Sequence, residues 1–262
     1  MKQDILSHLP GDFPWQVQYF DSLPSTNTYL KDLAAKGAPH GLCILAEEQS
    51  AGRGRMGRSF FSPANQGLYL SLLLRPGCKA HALMHLTCAV GLAACDAIEE
   101  VSGFAPQLKW INDLVAGSKK LGGILTELSV APATGNVDYA IIGIGINLSG
   151  NNFPEELKSI ATSLETVTGQ VPDRGLLTAT LLKHLEEMSR KLLTEKAAIM
   201  DHYRSHCVTL GKEVTLLQAD THLQGTALDI DEDGSLLIKF SDGSIQPISS
   251  GEVSVRGMYG YI

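Results

Sequence analysis

Apolar positions along the chain follow two different periods, and the point where one gives way to the other divides the molecule. Leu30, Leu33 and Ala34 stand at helical spacing behind the turn-rich stretch Asp21-Ser-Leu-Pro-Ser-Thr-Asn27, and Gly37 closes the pattern. Ser25, Thr26 and Asn27 therefore fall at a helix start. Residues 42–46 and 67–74 are short apolar runs suited to buried strands, and between them lies a long loop carrying Gly52, Gly54 and Gly57. Residues 80–101 read as one largely buried helix, followed by strands at 107–110, 123–128 and 139–146. Leu177, Leu181, Leu185, Met188 and Leu192 mark the inner face of an amphipathic helix over residues 174–193. From Gly211 the pattern turns to short β runs at 214–217, 224–230, 236–240 and 245–248, with Asp233-Gly234 and Asp242-Gly243 as hairpin turns. The expectation is an α+β domain over residues 1–208 and a small β-barrel over 209–262. A β unit that small is marginal alone and should pack against its larger neighbour.

Composition narrows the class. With 262 residues, 44% of them hydrophobic and 19% charged, the chain can build a globular core and is far from the signature of disorder. The net charge of −7 argues against a general nucleic-acid or membrane-surface binder. Cys43, Cys78, Cys88, Cys95 and Cys207 are odd in number and hold no C-x-x-C pair, which disfavours a disulfide framework or a zinc site and points to a reducing cytoplasm. The N-terminus lacks the pattern of a signal peptide, and the most apolar stretch, residues 82–98, carries His85 and Asp96 and falls short of the ~20 residues of a membrane span. His81 with His85, and His202 with His206, stand four apart as helix-borne metal ligands can, but no third ligand accompanies them, so they read as core or surface histidines.

Charge is unevenly distributed. No acidic residue occurs between Glu48 and Asp96, where Arg53, Arg55, Arg58, Arg75 and Lys79 contribute +5. The segment Gly52-Arg-Gly-Arg-Met-Gly57 satisfies G-x-G-x-x-G, yet Phe60-Phe61-Ser62-Pro63 follows where a dinucleotide site needs a helix, and no acid stands ~20 positions on to hold a ribose. Guanidiniums alternating with glycines suit another task. Flexible backbone can wrap a ligand while Arg53 and Arg55 offer forked donors to phosphate or carboxylate.

Four segments acquire a joint meaning: Ser25-Thr-Asn27; Glu47-Glu-Gln-Ser-Ala-Gly-Arg-Gly-Arg-Met-Gly-Arg58; Lys109-Trp-Ile-Asn-Asp113 with Lys119-Lys-Leu-Gly-Gly-Ile124; and Gly143-Ile-Gly-Ile-Asn147. In this order and spacing they resemble the catalytic core of biotin protein ligases, and the β-rich tail resembles that family's C-terminal SH3-like domain. The resemblance implies a class II synthetase-like catalytic domain that makes biotinyl-5′-AMP from biotin and ATP and passes biotin to a lysine of a biotin carboxyl carrier protein, a subunit of acetyl-CoA carboxylase. By the family pattern Ser25, Thr26, Asn27 and Gln49 bind biotin together with Gly52, Arg53, Gly54, Arg55, Lys120, Gly122 and Gly123. Arg55, Arg58, Trp110, Asn112, Lys120 and Asn147 face the nucleotide. Lys120, Arg53 and Arg55 are the catalytic cations, and Asp113 orients either the metal or the incoming lysine. Mg²⁺ bound mainly through the ATP phosphates completes the set, with no dedicated protein metal site. Because an acyl-adenylate hydrolyses readily, the glycine loop should order over bound ligand as a lid.

Two positions depart from the family pattern. Ile111 stands where proline is usual, and Phe60 where tryptophan is frequent; neither removes a charge or, at Ile111, a donor. About twenty residues precede Asp21, too few for an operator-binding helix-turn-helix, so no DNA binding is expected. A lipoate-type ligase of the same fold and a non-catalytic nucleic-acid binder using the Arg-Gly loop are the alternatives, the second opposed by the absence of aromatics interleaved in that loop. Relatives of this family often dimerise, so a homodimer is expected.

Overall fold

The computed structural model describes residues 2–150, 153–218 and 221–259. Its frame is a seven-stranded sheet made of β1 (Gln16–Leu23), β2 (Leu42–Gln49), β3 (Gly67–Leu74), β4 (Gln107–Lys109), β5 (Asp113–Ala116), β6 (Lys119–Val130) and β7 (Val137–Asn147), in the order β1-β2-β3-β7-β6-β5-β4. Only β1 and β2 pair in parallel, joined by helix α2 (Thr26–Ala35); the other neighbours are antiparallel. The short helix α1 (Lys2–Ser7) precedes the sheet, and α3 (Leu86–Ser102) follows β3. Behind β7 come α4 (Glu155–Lys158), α5 (Leu164–Thr168), α6 (Arg174–Lys191) and α7 (Lys196–His206).

Strand alternation decides what each face of the sheet carries. On β3, Leu68, Leu70, Leu72 and Leu74 enter the large core with residues of α3 and α6, as do Ala140, Ile142, Ile144 and Ile146 of β7. Their neighbours in sequence point the other way. Leu73 and Ile141 pack with Leu30 and Ala34 of α2 in a smaller cluster. Further along the same strands this second face carries Ser71, Gly143 and Gly145, which offer little apolar surface to cover. Helix α2 thus covers one end of the face and leaves the other for a ligand. Its own start is set by Ser25, whose hydroxyl accepts from the Thr28 amide at 3.4 Å.

The segment expected as one helix over residues 80–101 is two pieces: a 3-10 turn, Ala80–Leu83, and α3, which ends on left-handed Gly103. Together the two pieces, Ala80–Ser102, cover 23 residues and match a membrane span by length and composition only, and 72% of their most apolar window is buried inside the fold, as in a core helix. All five residues expected to face inward from α6 are buried.

The tail forms a second antiparallel sheet of β8 (Glu213–Gln218), β9 (Thr221–Ile230), β10 (Leu236–Phe240), β11 (Ile245–Ile248) and β12 (Glu252–Val255), ordered β11-β10-β9-β8-β12. Its apolar residues Val214, Ile230, Leu236 and Val255 are continuous with the large core. Polar ties cross the joint as well. The Trp110 indole donates to the Gly234 carbonyl at 2.8 Å, and Arg204 Nε to that of Ile230 at 2.6 Å. The small sheet is therefore docked on the large one, as its size requires.

Candidate functional site

Two clefts meet above the uncovered face of the large sheet. The inner one offers about 470 Å³ of free space, open solvent at its mouth included, between the start of α2, the end of β2, the Arg-Gly loop and the glycines of β6 and β7. The outer one, about 1710 Å³, lies between that loop, the turn joining β4 to β5, residues 153–161 and the edge of the small sheet. Gly54, Arg55, Phe60, Asn112 and Lys120 line both, and so mark the passage between them.

The inner cleft is lined by polar groups already paired with one another. Gln49 Oε1 accepts from the Thr26 amide at 2.9 Å and from its hydroxyl at 3.0 Å, while Gln49 Nε2 donates to Ser62 Oγ at 3.0 Å. The Ser71 hydroxyl lies 2.8 Å from Thr26 Oγ1 and 2.6 Å from Asn27 Oδ1. Ser25, Thr26, Asn27 and Ser71 are all buried, so a ligand here meets a fixed polar pattern in an otherwise dry wall. Room for it comes from the absence of side chains. A Cβ on Gly143 would stand 2.2 Å from Asn27 Oδ1, and one on Gly145 would stand 2.5 Å from the Phe60 ring.

Cations gather at the passage. The β5–β6 register slips between Leu114↔Gly122 and Val115↔Lys120, leaving Leu121 as the extra residue. Gly122 faces the core, its side-chain direction blocked by Leu114 and the Gly145 carbonyl; by strict alternation Lys120 would follow it there. The bulge turns Lys120 toward the cleft instead. Its ammonium donates to Asp113 Oδ1 at 2.5 Å, and the Tyr259 hydroxyl donates to Asp113 Oδ2. Arg55 donates to Asn112 Oδ1 at 3.0 Å and to the Gly251 carbonyl at 3.3 Å, tying the loop to both sheets. Asn112 is itself held by β6, through the Ile124 carbonyl and amide.

Electrostatics follow from this crowding. Burial pushes the Asp113 carboxyl up, but Lys120, the Tyr259 hydroxyl and Lys109 more than offset it and hold the group below the usual carboxylate range. Burial draws the Lys109 ammonium and the Arg55 guanidinium down, partly countered by Asp113. Tyr259 is driven well above the usual phenol range by burial and by Asp113, so it stays protonated as a donor. Glu127 is likewise raised by burial and lowered further by Asn27, Arg53 and Lys31, which ends as a net drop.

The family profile for the biotin/lipoate A/B protein ligases matches residues 19–147, and that for the biotin protein ligase C-terminal domain matches 209–256. The bifunctional ligase/repressor BirA of Bacillus subtilis is 35% identical over 240 residues, which cover 90% of this chain and 73% of that protein. The chain belongs to the biotin/lipoate protein ligase family. The biotin–[acetyl-CoA-carboxylase] ligase of Mycobacterium tuberculosis is 33% identical, over 87% of this chain and 85% of that one. Among solved structures, the biotin protein ligase from Aquifex aeolicus in complex with biotin and ATP superposes with a TM-score of 0.77 at 33% identity, covering 92% of this chain and 98% of that chain.

In this member of the biotin/lipoate protein ligase family, Ser25, Thr26, Asn27, Gln49, Arg53, Gly54, Arg55, Lys120 and Gly123 line the inner cleft. Arg58, Trp110, Asn112, Asp113 and Asn147 line the outer one. Gly122 does not reach either, because it faces Leu114 and β7. Gly52 supports the loop from behind, its carbonyl accepting from the Phe60 amide at 2.9 Å. Trp110 is buried and serves the joint between the sheets as well as the cleft wall. The Arg-Gly loop is folded as a short hairpin, Gly54 N to Arg58 O at 2.7 Å, with Met56 at its tip in the left-handed region.

Four side chains that line the outer cleft or brace the inner one from behind escaped the reading of the sequence. Ser71 had a signal, being the one polar residue in the eight-residue buried run of β3. Glu127, which pairs with Arg53 and Lys31 at 3.4 and 3.3 Å, sits where β6 emerges to solvent and looks like an ordinary surface acid. Glu252 and Tyr259 come from the far end of the chain, where no local pattern points to a site.

Proposed function

We propose that the chain is a biotin protein ligase, taking biotin in the inner cleft and ATP in the outer one. The single observation that carries this reading is the shared boundary: Lys120 and Arg55 stand where a carboxylate from one cleft and a phosphate from the other would meet. Biotin's ureido head matches the Thr26–Asn27–Gln49 array, which Ser71 braces from behind, and its apolar tail would run over the glycines of β7 toward Lys120. A carboxylate oxygen then attacks the α-phosphorus, pyrophosphate leaves, and biotinyl-5′-AMP forms. The protein supplies position and positive charge rather than a nucleophile. In the second step a lysine amine of the carrier domain attacks the acyl carbon, AMP departs and the amine loses its proton.

The reaction calls for Mg²⁺. Among the described residues no group of three or more His, Cys, Asp and Glu side chains is gathered for a metal, and both Asp113 oxygens already accept hydrogen bonds. This fits a cation held chiefly by phosphate oxygens, with Asp113 beside them; it would neutralise charge on the leaving pyrophosphate. The carrier of acetyl-CoA carboxylase is the acceptor this reading names, through the similarity to ligases named for it. Five free cysteines, four of them buried, suit a reducing cytoplasm. The division at residues 208 and 209 assigns substrate binding mainly to the first part and closure of the outer cleft to the second.

Lipoate is the competing acyl group in this family. Its apolar dithiolane offers no donor or acceptor to the Thr26–Asn27–Gln49 array, so it forgoes the ~1 kcal/mol that each hydrogen bond to a ureido group would add. Exchange of labelled pyrophosphate into ATP, measured with biotin or lipoate, checks both points. Exchange that needs biotin is expected; exchange with neither acid would end the reading, and preference for lipoate would reassign the inner cleft.

A further inference from the structure

The last described residue of the chain lies inside the site. Met258 is 7% exposed within the large core, the Tyr259 amide donates to the Ser118 carbonyl at 3.1 Å, and the Tyr259 ring lies 4.3 Å from Lys109 Nζ. These contacts fix the phenol hydroxyl over the β4–β5 turn, where it donates to Asp113 Oδ2 while Lys120 donates to Oδ1. A carboxylate rotates about its bond to Cβ unless both oxygens are held. With Oδ2 taken by the tail, Oδ1 has one place left to stand, and the Lys120 ammonium is drawn to it at the passage between the clefts.

We infer that Tyr259 is a positioning residue for the adenylation step, holding Asp113 so that Lys120 points at the meeting place of the two anions, and that the tail thereby makes the activity of the large sheet depend on docking of the small one. This rests on the ligase reading. Tyr259 acts through Asp113 and belongs to neither the inner cleft nor its polar array, so the effect falls on turnover and spares biotin affinity. The ring has a separate task as part of the outer wall.

The test uses the full chain with Tyr259→Phe, Asp113→Asn and the double variant, each assayed for the rate of biotin-dependent pyrophosphate release in a single turnover. Tyr259→Phe keeps the ring over Lys109 and removes only the hydroxyl, so its melting temperature should stay near that of the parent. Its kcat should fall about ten- to a hundredfold, the scale of one lost hydrogen bond to a charged group, with the KM for biotin unchanged. In the Asp113→Asn background the same change should add nothing, because the group it acts through is gone. Equal kcat in Tyr259→Phe and parent, or a loss that multiplies in the double variant, overturns the inference while leaving the ligase reading intact. A parent chain without biotin-dependent release overturns both. Tyr259→Ala, which also removes the wall, should raise the KM for ATP in addition; a rise in the KM for biotin instead would assign Tyr259 to the inner cleft and refute the positioning role.

Discussion

The inner and outer clefts are built on opposite plans. Walls of the inner one come from a single sheet and its adjoining turns, and its polar groups are bonded to each other before any ligand arrives. The outer one is assembled from several distant stretches, the last two being β12 and the tail, and is held by ion pairs and contacts across the joint. The first plan gives recognition by shape and by satisfied hydrogen bonds, where a single added methyl has nowhere to go. The second spreads recognition of a large, highly charged ligand over many partners, from buried Lys109 and Asn147 to exposed Arg58, whose surface pair with Glu252 is worth little alone.

Gly143→Ala should break the comparison most sharply. The new Cβ collides with Asn27, which is buried and bonded on both sides, and overpacking of this kind costs ~1–3 kcal/mol. Biotin affinity should fall about ten- to a hundredfold by calorimetry, with the KM for ATP little changed. Glu47→Gln supplies the control outside both clefts. Glu47 pairs with Arg174 and accepts from Tyr19 and the Asn65 amide; burial raises its carboxyl, but these partners bring it net below the usual range. A depressed folded pKa means stability that is present above the unfolded value of about 4.3 and lost as pH falls through the folded one. The substitution should therefore cost about 2 kcal/mol of unfolding free energy near pH 7, the difference should shrink below pH 4, and biotin affinity should not move. Arg58→Ala is the smallest case. Its pair with Glu252 lies on the surface, with the arginine 67% exposed, so the KM for ATP should rise less than about fivefold. An Arg58 effect as large as that of Gly143 would erase the distinction between the clefts.

The same division governs what could be read from the sequence. Strands β2, β3 and β7 are dense apolar runs legible from their pattern, and the residues that line the inner cleft stand in short motifs, so it is the family resemblance that brings Ser25, Gln49 and Gly123 into one neighbourhood. Helix α7 was illegible because only Met200 and Tyr203 of its residues are buried, too few to make a stripe, and the four-residue β5 is shorter than any period can show. The bulge that aims Lys120 is a property of pairing between two strands and has no local signature. Tyr259 meets Asp113 across 146 positions of sequence, which only the docking of the second sheet closes. Gly122 shows the converse: it stands inside a motif, yet the pleat turns it away from the cleft.

The central claim is that one ammonium serves both clefts, and Lys120→Gln tests it most directly when biotin binding and adenylate formation are measured side by side. Binding by calorimetry should remain within about tenfold of the parent, while single-turnover formation of biotinyl-5′-AMP should fall about 10²- to 10³-fold, the usual consequence of removing a preorganised charge from a transition state. Adenylate formed at the parent rate by the variant would contradict the account.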